Sequence, residues 1–411
     1  ILILLPISLL FSNVISEIFI FLIIVIFFYN INKKELLELI NNRVILLLLI
    51  LTVYLIVNYL LNIDKNPSLT RSLLFIRFPL YAISLGYFLN CFLISSRKIF
   101  LYWGVIVLIT CLDLQLQSIT GQNILGYKYI YEGSTVRLGG FLNDELKIAY
   151  FINSFFVISL GALSFYEKKK KVQILSFLFI ILVLYSVFLT GERANFICLF
   201  LFTVAFLIFS NLKKYFLLLA IIIIGFTSLN LVDLKKDKIV KRMIFDNAKI
   251  IKDSLKINDN NKNNFLYKDN QYFAHYSTAW EIFKDYPILG VGLKNFRVYC
   301  NDPIYKQQVT KSFRNRNCST HPHNFYFEIL SELGIIGTAI IISFFLYFFY
   351  ICIKSSYKKK CIFLFSNTIF LTTYFIPFLP RGSFFTNWNS ILFWTVIATS
   401  FYLINRNQTH S

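Results

Sequence analysis

The sequence predicts an all-α polytopic membrane protein with about twelve transmembrane helices and a large outer loop containing short helices. Three observations carry this. Of the 411 residues, 57% are hydrophobic and 15% are charged, and the mean hydropathy is +0.63; soluble domains are rarely so apolar. The apolar residues gather in runs, most near the roughly 20 residues that a helix needs to cross a bilayer core. The short basic clusters between runs all fall on one side if the runs alternate across the membrane.

The expected spans are 1–12, 16–30, 43–62, 72–95, 99–116, 146–165, 172–189, 194–210, 214–231, 330–353, 361–379 and 388–404. The first run is short and opens on Ile1. It reads as a truncated start rather than a signal peptide, since no basic segment precedes it and no small-residue cleavage site follows. Lys33-Lys34, Arg97-Lys98, Lys168 to Lys171, Lys213-Lys214 and Lys358 to Lys360 are read as short basic loops. The positive-inside rule makes their side, and both termini, cytoplasmic. Three regions result: an N-terminal bundle over 1–231 with nine spans and an outer loop at 117–145, a large outer loop over 232–329, and C-terminal spans with a short cytoplasmic tail over 330–411.

The net charge is +20. Basic loops that set topology and meet anionic lipid account for it, and no recognition motif points to nucleic acid as a partner. No Gly-rich loop followed by Lys-Ser/Thr suggests a nucleotide. No Cys/His cluster has metal-ligand spacing, so neither a metal nor another cofactor is expected. Five of the seven cysteines lie in or beside apolar runs and read as small hydrophobes. Cys300 and Cys318 stand apart in the large loop, and in an oxidising space they could form a disulfide just ahead of His323.

Within the large loop, Ile257 to Asn264 reads as a solvated excursion. Tyr272, Tyr276, Ala279, Trp280 and Phe283 recur at helical spacing, predicting a surface helix near 272–285. Pro287, Gly290 and Gly292 then end it in a turn whose N–H groups could approach a ligand or simply pack the loop. After the loop comes His321-Pro-His-Asn-Phe-Tyr-Phe-Glu-Ile-Leu-Ser-Glu-Leu-Gly-Ile-Ile-Gly337. If one helix runs through it, His323 and Gly334 share a face, and His323 stands about 16 Å above the apolar span. A neutral imidazole there can accept a proton near pH 7, or serve only as an amphipathic anchor. Gly334 and Gly337 would let a neighbouring helix approach.

His323-Asn324, nine residues, then Gly334-x-x-Gly337 resembles the signature of the bacterial O-antigen ligase family, which the O-antigen polymerases share. Pro287-x-x-Gly290-x-Gly292-x-x-Asn295-Phe296 resembles a second element of that family. The resemblance implies a GT-C-like glycosyltransferase in the bacterial inner membrane, with its active site facing the periplasm. The donor would be an undecaprenyl-diphosphate-linked glycan and the acceptor lipid A–core, with His323 as general base, inversion at the sugar, and no metal. Arginines between spans at the outer face would grip the diphosphate. Arg193, in Thr190-Gly-Glu-Arg, fits the family's placement, though it could also snorkel beside Glu192. Arg137 follows Asp113, Gln117, Gly121 and Gly126 as in the family; Asp144 and Glu145 would orient it or cap the next helix. Arg77, inside a span, ranks third. Asn324 and His275 complete the expected substrate contacts.

There is one departure. Where the family has an Arg before the surface helix, this chain reads Gln271-Tyr-Phe-Ala-His275, leaving His275, Lys268 or Arg242 as substitutes. Arg297, Arg314 and Arg316 are surface charge or acceptor contacts, and Arg381 has no stated role. Two other readings stand beside the ligase: a polymerase with the same donor class, and a transporter or flippase, against which no paired half-repeats are visible.

Overall fold

A computed structural model describes residues 1–61, 74–91, 93–132, 135–166, 169–210, 212–215, 218–219, 239, 242–243, 271–307, 317–377 and 379–405. The expected span 214–231, the excursion 257–264, Lys268, Arg314 and Arg316 lie wholly or mostly outside these residues. Helices coincide with the other expected spans: α1 (Leu5–Phe11), α2 (Asn13–Asn30), α4 (Arg43–Leu61), α5 (Arg77–Cys91), α6 (Leu93–Thr120), α7 (Ile148–Leu163), α8 (Lys170–Leu189), α9 (Arg193–Phe209), α13 (Phe325–Lys359), α14 (Ile362–Thr373) and α15 (Asn387–Asn405). Between them lie α3 (Lys33–Ile40) and, in the large loop, α10 (Gln271–Asp285), α11 (Phe296–Tyr299) and α12 (Pro303–Gln307). Among the described residues, five helices are long and apolar enough to cross a membrane: α2, α4, α6, α8 and α13.

Several elements differ from expectation, Lys33-Lys34 among them, which opens α3 instead of lying in a loop. Ile130–Glu132 (β1) and Thr135–Arg137 (β2) pair antiparallel in the first outer loop, with Ile130 opposite Arg137. Arg97-Lys98 lies inside α6 rather than in a loop, with the Arg97 guanidinium 4.6 Å from the Phe165 ring.

α7 and α15 form the centre. Nearly every residue of each is buried, as an all-round apolar helix requires. α15 lies along α5, and α7 lies between α6 and α14. By contrast α2, α4 and α8 keep exposed apolar faces, suited to lipid. The segment between α6 and α7 hangs from the end of α6. The Gln117 amide donates to the Tyr127 carbonyl at 3.0 Å and accepts from the Gly140 N–H at 3.0 Å. The Asp113 carboxylate accepts from the Asn123 side chain and the Ile124 N–H. These anchors tie the segment that carries β2, and hence Arg137, to the end of α6.

α13 is not one straight helix starting above His323. It begins at Phe325 and breaks at Gly334, where φ is +63° and ψ −168°. The supposed shared face of His323 and Gly334 therefore does not exist. The break is filled by the turn after α10. Val291 and Gly292 donate N–H bonds to the Ser331 and Glu332 carbonyls at 2.9 and 2.8 Å, and Ile335 donates to the Pro287 carbonyl at 2.8 Å. The two glycine elements interlock: a Cβ on Gly290 (φ +67°) would meet the Glu332 carbonyl carbon and the Leu333 and Gly334 nitrogens at 2.5–2.6 Å. Gly337 packs on the Tyr54 ring of α4, the close helix approach expected of it, and the Tyr54 hydroxyl bonds the Leu333 carbonyl.

Gly290→Ala should therefore destabilise the protein severely, because backbone atoms cannot yield as a side-chain tip would. Gly126→Ala is the control: its φ is +84° but nothing lies within 4 Å, so only conformational strain of about 1–3 kcal/mol applies. Thermal unfolding in detergent should show a larger drop for the first variant; equal drops would mean that the interlock is not a source of stability.

Candidate active site

The site is built on a strap, residues 317–324, that leads into α13. Asn324 starts the helix as its N-cap, with a side-chain oxygen that accepts from Tyr326 and Phe327 N–H at 2.9 and 3.3 Å. That oxygen serves the helix rather than a substrate. Below it, the Phe325 ring packs against Phe375 and Phe384 at 4.9 and 5.4 Å, which fixes where the helix begins. His323 precedes the cap with φ +59°, uncommon for a residue with a Cβ. Its carbonyl accepts from the Arg381 N–H at 2.8 Å, joining the strap to the outer turn before α15. Farther back, Cys300 and Cys318 form the expected disulfide.

Three of the chain's four histidines meet here. The His323 ring lies 4.1 Å from that of His321 and 5.3 Å from that of His275, with Tyr272 at 5.5 Å. Hydrogen bonds set their protons. The Ser319 hydroxyl donates to the His321 carbonyl at 2.7 Å and lies 3.2 Å from His323 Nε2. Its one hydrogen goes to the closer carbonyl, so His323 Nε2 is the donor and its Nδ1 carries the lone pair. His321 Nε2 faces the Arg381 carbonyl at 3.2 Å and must donate; its Nδ1 faces the Thr320 hydroxyl at 3.0 Å. His275 Nδ1 faces the Asn317 carbonyl at 3.0 Å. Burial, and then the neighbouring His321 and His275, pull His323 down to about 3. Burial and then Lys294 do the same to His321, and burial lowers His275. All three rings are neutral at pH 7.

The turn between α8 and α9 gathers cations. Gly191 has φ +72°, and a Cβ there would lie 3.1 Å from Arg242 Cδ and 3.2 Å from Arg137 Cγ. Arg242 Nε donates to the Gly191 carbonyl at 3.0 Å. Arg193 follows as the first residue of α9. The Glu192 carboxylate accepts from the Ala149 N–H at 2.8 Å and the Asn195 amide at 2.6 Å. Burial pushes it up to about 7, against the pull of Ala149, Arg137, Asn195 and Arg242. Glu192, not Asp144 or Glu145, thus serves the start of α7 and stands beside Arg137; Glu145 pairs with Lys147.

Strap and turn open on one cavity of about 330 Å³. Glu192 and Asn195 line it from the arginine side, Thr320 and His321 from the strap, Lys147 and Tyr150 from the start of α7, and Arg381, Ser383 and Trp388 from the outer turn and α15. Arg77 is not part of it. Its guanidinium forks onto the Glu17 carboxylate at 2.8 and 3.0 Å and lies over the Phe78 ring, an ion pair between α2 and α5. Gly290 and Gly292 hold the helix break. Among the described residues, no three His, Cys, Asp or Glu side chains are arranged to hold a metal ion.

Sequence reasoning missed several residues here. Ser319 and His321 flank His323 at alternate positions, and that spacing was the available signal. Glu328 and Glu332, one helical turn apart in an otherwise apolar helix, were the signal for a buried charge cluster. The Glu328 carboxylate accepts from Ser383 and from the Phe384 N–H at 2.9 Å, with Lys294 Nζ at 3.8 Å, while Glu332 accepts from the Lys294 N–H at 2.8 Å. Nothing in the sequence pattern singled out Tyr150.

A sequence model of a protein family matches residues 177–342, fewer than half of the chain but including Arg193, the large loop, the strap and the helix break. It describes the O-antigen ligase family. The resemblance read from His323-Asn324 and Gly334-x-x-Gly337 holds over that stretch. Arg77, Arg137 and Arg381 lie outside it. A comparison with curated proteins finds no match.

His323 takes up its proton more readily in the unfolded chain, near pH 6.5, than in the folded one, near 3. Its contribution to stability is complete above pH 6.5 and is lost as pH falls toward 3. The melting temperature should therefore drop on acidification from pH 7 to 5, and drop less in His323→Gln. An identical drop in the variant would show that the imidazole is not held neutral by the fold.

Proposed function

We propose that the protein is a membrane glycosyltransferase of the O-antigen ligase type, moving a glycan from an undecaprenyl-diphosphate carrier to lipid A–core at the periplasmic face of the bacterial inner membrane. The observation that carries this reading is the shared cavity. On one side His321, the neighbour of His323 on the strap, lines it, and on the other Glu192 and Asn195, from the turn where the arginines gather. The family match and the apolar helices support the membrane setting. The Cys300–Cys318 disulfide supports an oxidising, outward-facing location for the strap.

In this reading Arg137, Arg193 and Arg242 hold the diphosphate and stabilise it as it leaves, with fixed guanidinium charge in place of a metal or nucleotide site. Arg242, rather than His275, takes the place of the family's loop arginine, because it lies against Gly191 near Arg137 while His275 lies beside His323. His323 Nδ1 removes the proton of the acceptor hydroxyl. Its proton affinity is low while the site is empty, and an anionic diphosphate nearby raises it. Attack opposite the leaving group inverts the anomeric carbon.

With purified full-length protein, lipid-linked glycan and lipid A–core, His323→Ala should abolish transfer while membrane insertion persists. Arg193→Ala should weaken donor use more than Arg193→Lys, and Arg242→Ala should resemble Arg137→Ala. Full transfer by His323→Ala would remove the base assignment. Longer lipid-linked chains in place of modified lipid A–core would move the reading to a polymerase, and movement of the lipid-linked sugar without transfer would move it to a flippase.

A further inference from the structure

A second cavity, of about 300 Å³, takes no part in the transfer reading. α15 spans the distance between the two. Trp388, near its start, lines the first cavity, and Asn405, at its end, lines the second. They lie about 25 Å apart at 1.5 Å per residue, close to the thickness of a bilayer core. The second cavity is where α3, the start of α4 and the ends of α5 and α15 meet. α2 and α4 are both long and apolar enough to cross a membrane, and α3 joins the end of one to the start of the other. A short helix so placed lies at headgroup level. Its side chains agree: Lys33, Lys34 and Glu38 are exposed beside Leu37 and Ile40, as on a helix lying in the interface.

The polar groups on this wall are oriented. The Asn32 N–H and the Tyr87 hydroxyl donate to the Glu35 carboxylate at 3.2 and 3.4 Å, both to Oε2. Oε1 makes no hydrogen bond and keeps accessible surface. Asn90 Nδ2 donates to the Gly86 carbonyl at 3.0 Å, which turns the amide so that Oδ1 is its free acceptor. Asn42 is turned the other way: its Oδ1 accepts from the Val44 N–H at 2.9 Å, and Nδ2 is its free donor. Among the described residues that line the cavity, Glu35 is the one charged side chain, in a chain whose net charge is +20. Lys34 and Arg43, both exposed, adjoin Glu35 and Asn42 in the chain.

A carboxylate oxygen and an amide oxygen together ask for a cation that can donate. A primary ammonium carries three N–H groups, enough for Glu35 Oε1 and Asn90 Oδ1. The donor on Asn42 and the neighbouring exposed cations suit an anionic phosphate. Ile45, Ile83 and Phe401 add an apolar wall. The volume, at the lower end for ligand pockets, suits a headgroup rather than a whole lipid. We propose that this cavity binds the primary-ammonium headgroup of an aminophospholipid, in the leaflet opposite the strap. A glycerol headgroup lacks the cation, and a trimethylammonium headgroup lacks the N–H donors, so neither satisfies Glu35 and Asn90.

Cys91 supplies a native probe. It lines the cavity and is exposed, whereas Cys111, Cys198 and Cys352 are buried and Cys361 is half-buried. Full-length protein, purified in detergent and stripped of lipid, is treated with N-ethylmaleimide. Alkylation of Cys91 is followed by peptide mass spectrometry, with Cys361 as the internal reference. Short-chain phosphatidylethanolamine should slow alkylation of Cys91 saturably and leave Cys361 unchanged. Phosphatidylglycerol and phosphatidylcholine of the same chain length should need concentrations about 10-fold higher or more, the worth of a hydrogen bond to a charged group. Glu35→Gln should erase that preference while the melting temperature holds, because Gln keeps the capping pattern with Asn32. Absence of protection, equal protection by the three lipids, or an undiminished preference in Glu35→Gln would overturn the proposal. Protection by free phosphoethanolamine at the same concentration would keep the ammonium chemistry and overturn the lipid as its source. None of these outcomes depends on whether the protein transfers a glycan.

Discussion

The site depends on a broken helix. α13 stops being helical at Gly334, and a break of this kind leaves backbone donors and acceptors without their i to i−4 partners in a region where water cannot replace them. The turn at 287–292 supplies them. Its N–H groups take the Ser331 and Glu332 carbonyls, and its Pro287 carbonyl takes the Ile335 N–H. Each half satisfies the other's backbone groups, so the turn at 287–292 and the helix are joined at this point. The strap, which leads into the first turn of the same helix, inherits that rigidity.

The buried charges on α13 continue the same logic. Glu328 and Glu332 are at most 1% exposed, and an unpaired carboxylate so deep would be expensive. Each is bonded to a different segment: Glu328 to the turn at 383–384, and Glu332 to the backbone of Lys294. Lys294 reaches Ser383 and approaches Glu328, closing the triangle. Replacing such a set by apolar side chains need not weaken the fold. What it would lose is direction, because hydrogen bonds to charged groups fix the angle between helix, loop and outer turn more tightly than apolar contact does. That angle decides how the strap and the Arg381 turn face the cavity.

The helices were legible in the sequence because an apolar run of bilayer length has few other uses. The strap was half legible. His323 stood out because a polar residue heads an apolar run beside two glycines, and Cys300 and Cys318 stood out because they alone among the cysteines sit in polar sequence. The continuity of the helix above Gly334 was misjudged because eleven residues return to the same helical angle whether or not the helix is unbroken. A glycine permits a break, but only the partner turn, more than forty residues earlier, makes one favourable. Arg77 is a related case: the carboxylate that pairs with it, Glu17, lies on a different helix and at no telling spacing. Arg242 and Tyr150 gained their places from long-range folding alone.

The same rigidity bears on how a weak base can serve. His323 is desolvated and lies at a tilt beside two other neutral imidazoles, so in the empty site its lone pair has little pull on a proton, although the Ser319 bond keeps Nδ1 as the acceptor. An imidazole exposed to water near its ordinary pKa would be partly charged at neutral pH and would repel a cationic setting of arginines. One kept neutral can sit opposite them without cost. On the proposed reading, the diphosphate that fills the arginine turn also strengthens the base, so that proton removal and donor binding are linked by electrostatics rather than by a moving part. On the same reading, water entering without the anion would meet a base too weak to activate it.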